Sequence, residues 1–274
     1  LHILTADGKI NQDSRRKLKQ IYHLYQFIEP LLLELKNQSS INNMDNANNA
    51  TIHLVDHGAG KSYLGFILYD LFYQSKRHSS DPSIVDPMPF HVHGIETKAE
   101  LVQKSIELKN KLQFQNMSFM NLSVKDSMTS NQLPTQVDIV TALHACNTAT
   151  DDAIEFALQK KSKHIVLVPC CQAEIAALLK QNKSKMLHNP KYQNWVELFR
   201  HPIHTREFGS HLTNVLRGLW LESNGYQVNI TELVGWEHSM KNELIIARFN
   251  PNSPEAFKNK AKERLNYFID AFQL

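Results

Sequence analysis

Cysteine is scarce in this chain, at three in 274 residues. So few exclude a disulfide framework and point to a reducing compartment, so the cytoplasm is the expected location. Long apolar runs are missing too. None reaches the ~18 residues that a membrane-spanning helix needs, so no membrane partner is expected. Residues 1–10 have neither the basic start nor the long apolar stretch of a secretory signal. The chain opens on Leu1 instead of Met, which is consistent with a segment upstream. Neither sign of charge dominates: Lys and Arg number 30 against 27 Asp and Glu, a formal net charge of +3. This mild excess permits an anionic partner and does not require one. Hydrophobic residues make up 42%, in the globular range, so one large domain or two small ones can bury a sizeable core.

Two further absences narrow the most informative stretch. Residues 52–55 read as a buried strand, a tight glycine turn follows, and Leu64, Ile67, Leu68 and Leu71 recur at helical spacing. A strand, a turn and a helix N-terminus make a nucleotide site at the carboxyl edge of a parallel sheet. Gly60, Lys61 and Ser62 imitate the end of a phosphate-binding loop, but Val55 stands where that loop needs its first glycine. A dinucleotide fingerprint needs a third glycine where Tyr63 stands. What the turn does have is Asp56 at the strand end, then Gly58 and Gly60. A carboxylate there suits a sulfonium and an ammonium and repels a pyrophosphate. S-adenosyl-L-methionine carries both cations and no phosphate, so it is the expected cofactor. A tight turn without a ligand is the plain alternative.

Residues 12–36 read as an amphipathic helix with Leu18, Ile21, Tyr25, Ile28, Leu32 and Leu35 in one stripe. Arg15, Arg16, Lys17 and Lys19 cluster at its start, either as a solvated helix end or as a patch for RNA phosphates. Asn and Ser fill residues 37–50, the expected linker between an N-terminal helical cap (1–50) and the main domain (51–249). Beyond an inserted loop at 76–89, residues 90–95 alternate as a second strand ending in Glu96, where a carboxylate accepts hydrogen bonds from ribose hydroxyls. A helix is expected over 99–112. A third strand is expected over 117–124, with Asp126 and Ser127 placed for the adenine end. The fourth strand, 137–143, ends in Leu143 and runs into His144, Cys146 and Asn147, with a helix over 151–159. The fifth, 164–168, runs into Pro169, Cys170, Cys171 and Gln172. Open α/β sheets do their chemistry at the ends of such adjacent strands. Residues 172–209 are long for a connection and form the candidate substrate lid. A helix over 212–224, a β-hairpin of 225–234 with 243–249, and a helix over 254–272 in a C-terminal segment, 250–274, complete the reading.

Four segments together resemble a family of class I S-adenosylmethionine-dependent methyltransferases. They are Asp56-His-Gly-Ala-Gly-Lys-Ser-Tyr-Leu64, Gly94-Ile-Glu96, Leu143-His-Ala-Cys-Asn-Thr-Ala-Thr-Asp151 and Pro169-Cys-Cys-Gln172. The family's signatures are L-H-A-C-D-T-A-T-D and P-C-C-Q, and the resemblance runs from about residue 15 to residue 249. Asn147 departs from it in place of an acid, and Ala173 in place of a frequent His. The resemblance implies a Rossmann-like α/β fold: a seven-stranded sheet, last strand antiparallel, with helices on both faces. It implies an S-adenosyl-L-methionine site at Asp56, His57, Gly58, Gly60, Lys61, Leu64, Glu96, Asp126, Ser127 and Leu143. From their places after the fourth and fifth strands, His144, Asp151 and Gln172 are the expected catalytic positions.

The acceptor stays open, with RNA favoured on charge. A hydroxyl acceptor needs a base, and His144 or Asp151 is in place for that. The Asp/Asn-Pro-Pro-aromatic signature of nitrogen methylation is absent after the fourth strand. Cytosine C5 methylation needs a cysteine nucleophile, and Cys170 follows the fifth strand. Zinc held by His144, Cys146, Cys170 and Cys171 lacks the paired C-x-x-C spacing, so no metal is expected. Small packed cysteines are the plain reading. The competing class is a non-catalytic module that binds a cofactor or RNA on the same fold. A nicotinamide dehydrogenase is disfavoured by Tyr63 and Asp56.

Overall fold

Central strands that are apolar on both faces must be covered by helices on both sides. This chain meets that demand in a computed structural model describing residues 12–42, 51–74, 89–143, 148–169, 172–233 and 243–274. The strands are β1 (Ile52–His57), β2 (Phe90–Glu96), β3 (Met117–Asn121), β4 (Ile139–Leu143), β5 (His164–Val168), β6 (Tyr226–Glu232) and β7 (Glu243–Phe249). They form one seven-stranded sheet in the order β3-β2-β1-β4-β5-β7-β6. β7 runs antiparallel to both its neighbours, and the other pairings are parallel. The α/β sheet expected from the sequence is therefore present, with its last strand reversed.

α1 (Gln12–Asn42) and α2 (Tyr63–Leu68) share a core with the first sheet face. A π-helical turn, Tyr69–Gln74, continues α2, and α3 (Ala99–Leu112) adds Leu108 to the same cluster. Leu24, Ile28, Leu31 and Leu35 of α1 are buried at helical spacing beside Ile52, Leu54, Phe90 and Ile139. On the other face are α4 (Val124–Thr129), α5 (Thr148–Gln159) and α7 (Pro202–Ser223). There Ala153, Ile154 and Phe156 close over Val55, Val140 and Ile165. A third cluster joins α6 (Glu174–Leu187), a 3-10 turn (Gln193–Phe199), α7 and α8 (Glu255–Phe272), through Leu179, Val196, Phe199, Leu212 and Phe272.

Several boundaries differ from the sequence reading, each for a local reason. The third strand stops at Asn121 instead of 124 because Ser123 and Asp126 form a capping box. The Ser123 hydroxyl accepts the Asp126 N–H at 3.1 Å, and the Asp126 carboxylate accepts the Ser123 N–H at 3.4 Å. The helix expected at 212 begins at Pro202, a residue suited to the first helical position. Most of the candidate lid is thus helical. α1 runs on to Asn42, and α5 begins at Thr148 instead of 151. Among the described residues no helix is long and apolar enough to cross a membrane.

Candidate active site

The carboxyl end of β1 carries the first part of the site. Gly58 and Gly60 hold φ of +64° and +56°, in the left-handed region that glycine adopts freely. Among the described residues a Cβ at Gly58 would meet nothing within 4 Å, and one at Gly60 only the Gly58 carbonyl at 3.9 Å. Both positions therefore face open space, and the glycines serve backbone shape and approach. Gly94, beside them on β2, differs: a Cβ there would lie 2.6 Å from the Phe119 ring. It is a packing glycine.

Two carboxylates converge on this turn. Glu96, the last residue of β2, accepts the Gly60 N–H at 2.9 Å through Oε2 and the Lys98 N–H at 3.0 Å through Oε1. Asn121, at the end of β3, clamps the backbone beneath by donating to the carbonyls of Glu96 and Thr97. Asp56 is 2% exposed and accepts the Thr141 hydroxyl of β4 at 2.7 Å. Burial pushes its carboxyl up to about 7, and the Glu96 charge adds to that, while the Thr141 hydrogen bond opposes it. Among the described residues, no Lys or Arg is paired with either carboxylate. A bound cation would relieve both, which fits a sulfonium and an ammonium. The open glycine turn fits the same ligand.

The other expected contacts are placed as follows. His57 turns to the opposite sheet face, fully buried, with its ring 4.5 Å from Phe156. Among the described residues neither ring nitrogen has a hydrogen-bond partner, and burial lowers its pKa to about 3. Leu64 is in the core under the turn, Leu143 is half-buried at the end of β4, and Lys61 is exposed. Asp126 is exposed, its carboxylate engaged in the capping box, and Ser127 is buried in α4. His144, Cys146, Cys170 and Cys171 lie outside the described residues. Among those described, no group of His, Cys, Asp and Glu is arranged to hold a metal.

The remaining two candidates, Asp151 and Gln172, are brought together behind β4 and β5 by residues of α7. Arg217, 3% exposed, donates Nε and Nη2 to the two Asp151 oxygens at 2.6 and 2.9 Å, a bidentate pair. Its Nη1 donates to Asn214 Oδ1 at 3.2 Å, and Gln172 Nε2 donates to that same oxygen at 3.2 Å. The Ser210 hydroxyl donates to Gln172 Oε1 at 2.6 Å, and Asn214 donates onward to Glu243 of β7. Arg217, Asn214, Thr141 and Asn121 were not singled out from the sequence. Their roles come from contacts tens of residues away along the chain, and no local pattern marks them.

The sequence profile of a family described as "Methyltransferase domain" matches residues 16–178. Among curated proteins, none matches the chain in sequence. Solved structures similar to it include magnesium protoporphyrin IX methyltransferase from Synechocystis PCC 6803 with bound SAH. That protein is 14% identical over 89% of this chain and 90% of its own, with a TM-score of 0.44. An rRNA methylase from Streptococcus thermophilus is 8% identical over 73% of this chain and 87% of its own, at a TM-score of 0.41. The DszA carbon methyltransferase is 12% identical over 84% of this chain and 57% of its own, at 0.47.

Proposed function

The chain belongs to the methyltransferase domain family, and from that premise we propose that it transfers the methyl group of S-adenosyl-L-methionine to an acceptor held at the ends of β4 and β5. The observation that carries this reading is the pair of carboxylates, Asp56 and Glu96, closing on an open glycine turn with no side-chain cation from the described residues between them. When bound, the cofactor supplies an electrophilic methyl carbon on a sulfonium. Asp56 balances the cationic end, and Glu96 has lone pairs left for ribose hydroxyls. Gly58 and Gly60 let the backbone approach, with Leu64 and Leu143 as apolar neighbours. Asp126 and Ser127 take the adenine end, and His57 and Lys61 flank the turn.

The protein's contribution to such a displacement is mainly proximity and orientation. In this reading His144, Asp151 and Gln172 orient the acceptor. For a hydroxyl acceptor, His144 or Asp151 takes the proton as the oxygen–carbon bond forms and the carbon–sulfur electron pair returns to sulfur. His144→Ala is expected to leave cofactor affinity nearly intact and to cut turnover by ~100-fold or more, since general bases contribute about 10²–10⁴. Unchanged turnover would remove the histidine from the chemistry.

The test of the whole reading is calorimetric titration of S-adenosyl-L-methionine into the wild type and Gly60→Val. Valine at a φ of +56° is strained and moves the turn, at a place where no core packing depends on it. Binding should be lost with the fold retained by circular dichroism. Unchanged affinity in folded Gly60→Val, or binding of NAD with S-adenosyl-L-methionine ignored, overturns it.

RNA is a second reading of the acceptor, supported by Lys180 and Lys185, exposed on α6, and by Arg15 and Lys19, exposed on α1. It requires affinity for total RNA that falls steeply with salt.

A further inference from the structure

A cavity of about 350 Å³ lies among α5, α6, α7 and α8. Ile175, Leu216, Trp220 and Ile269 give it apolar walls, and Asp151, Gln172, Glu174, Thr213 and Arg217 form its polar side. The volume is that of a small-molecule site with a few placed polar groups.

The polar side is short of donors. The Thr213 hydroxyl donates to the Gly209 carbonyl at 2.7 Å. Arg217 donates Nε, Nη1 and Nη2 inside the network, to Asp151 and Asn214. Gln172 Nε2 donates to Asn214. What this side offers a guest is mostly acceptors: the Thr213 oxygen, the further lone pairs of Asp151 and the exposed Glu174 carboxylate. Its formal charges are two carboxylates against one guanidinium. A guest that brings a phosphate or carboxylate is repelled, and a guest that brings N–H or O–H is satisfied. The half-buried Trp220 ring adds a face that a cationic or aromatic group can cover.

We propose that this cavity binds the methyl acceptor, and that the acceptor is a small, mainly apolar molecule presenting an amine or hydroxyl in place of a phosphate. The proposal rests on the transfer reading above, because two of the three residues assigned to the reacting end, Asp151 and Gln172, line the cavity.

The experiment titrates 2-naphthylmethylamine, 2-naphthylmethanol and 2-naphthoate into the full chain by calorimetry. Leu216→Trp, which fills the cavity, and Thr213→Val, which removes an acceptor at its wall, are titrated in parallel. The amine and the alcohol should saturate one site, with the naphthoate ~10-fold weaker or worse. Leu216→Trp should abolish the amine signal, and Thr213→Val should weaken it ~3-fold or more, with S-adenosyl-L-methionine affinity unchanged in both. Naphthoate binding as tightly as the amine overturns the proposal. So does amine binding that ignores both substitutions, or the absence of saturable binding in the wild type. The two readings fail separately. Cofactor bound without amine sinks this proposal alone, whereas amine bound without cofactor sinks the transfer reading and the acceptor role with it.

Discussion

Asp56 is an acid held at about 7 in a protein where its unfolded value is 3.8. Its burial costs free energy when it is charged, and the Glu96 charge adds to that cost. The folded chain therefore holds a proton between pH ~4 and ~7 that the unfolded chain has lost. Stability from this residue is highest at low pH and falls as pH rises through that window. A cationic ligand reverses the preference, because it needs the carboxylate. Affinity for S-adenosyl-L-methionine should rise as pH goes from 5.5 to 7.5, by up to ~10-fold per unit while Asp56 is protonated. Asp56→Asn should bind weakly with the slope gone, and its apo form should be at least as stable as the wild type at pH 7.5. Calorimetry across that range reads the first outcome and urea unfolding the second. A wild-type affinity flat from pH 5.5 to 7.5 removes Asp56 from the site.

At the scale of elements, two glycines of α7 behave oppositely. A Cβ on Gly209 would lie 2.7 Å from the backbone of Ala176 on α6, so the glycine sets how closely those helices pack. A Cβ on Gly218 would meet Ile230 at 3.5 Å, an ordinary contact. Gly209→Ala should cost about 1–3 kcal/mol, because the helices must part. Gly218→Ala should instead add up to ~1 kcal/mol from helix propensity. Urea midpoints of the two variants decide it, and equal effects would mean that α6 and α7 are not in close contact there. This packing was not legible in the sequence, where residues 172–209 read as a lid over the site. The apolar residues that tie the segment down, Val196 and Phe199 against Phe272, meet only in the folded chain. The central strands and the glycine turn were legible because their signals are local: branched apolar runs, then Asp56, Gly58 and Gly60 within a few positions. The end of the third strand was also locally encoded, by Ser123 three residues before Asp126, yet the apolar run through Leu122 and Val124 concealed it. Arg217 lies 66 residues from its partner Asp151, and no spacing rule links them.

Across the whole molecule, histidines set the response to acid. His57, His93 and His164 are nearly or fully buried, and burial lowers their pKa to about 3, about 3 and about 4. Among the described residues His57 and His164 have no hydrogen-bond partner at either ring nitrogen, though the Glu34 carboxylate lies 3.9 Å from His164 Nε2. His93 sits between Ser118 at 2.8 Å and His53 at 3.1 Å, and the charges of His91 and His53 oppose its protonation further. For His164, Arg248 and Lys163 act in the same direction as burial and Asp138 acts against it. Each ring is neutral in the folded chain and takes up a proton near pH 6.5 once unfolded. Their stabilisation is complete above pH 6.5 and is lost as pH falls toward 4. Asp56 works the other way over the same range. Against the one proton Asp56 releases, these three rings leave a net gain of two on unfolding, or roughly 3 kcal/mol of stability lost per pH unit at ~1.4 kcal/mol per proton, and His91, lowered to about 4, and His53, lowered by burial, add to that slope. With an ordinary domain stability of about 5–15 kcal/mol, that slope alone brings the chain close to unfolding near pH 4. Urea midpoints should fall steadily from pH 6.5 to 4. His57→Leu, which places an apolar side chain beside Phe156, should flatten the slope by ~1.4 kcal/mol per pH unit. Relative to its effect at pH 7.5, it should gain about 2 kcal/mol at pH 5. A slope in His57→Leu as steep as in the wild type would mean that the ring is already solvated, and that the buried face of β1 is packed differently from the arrangement described.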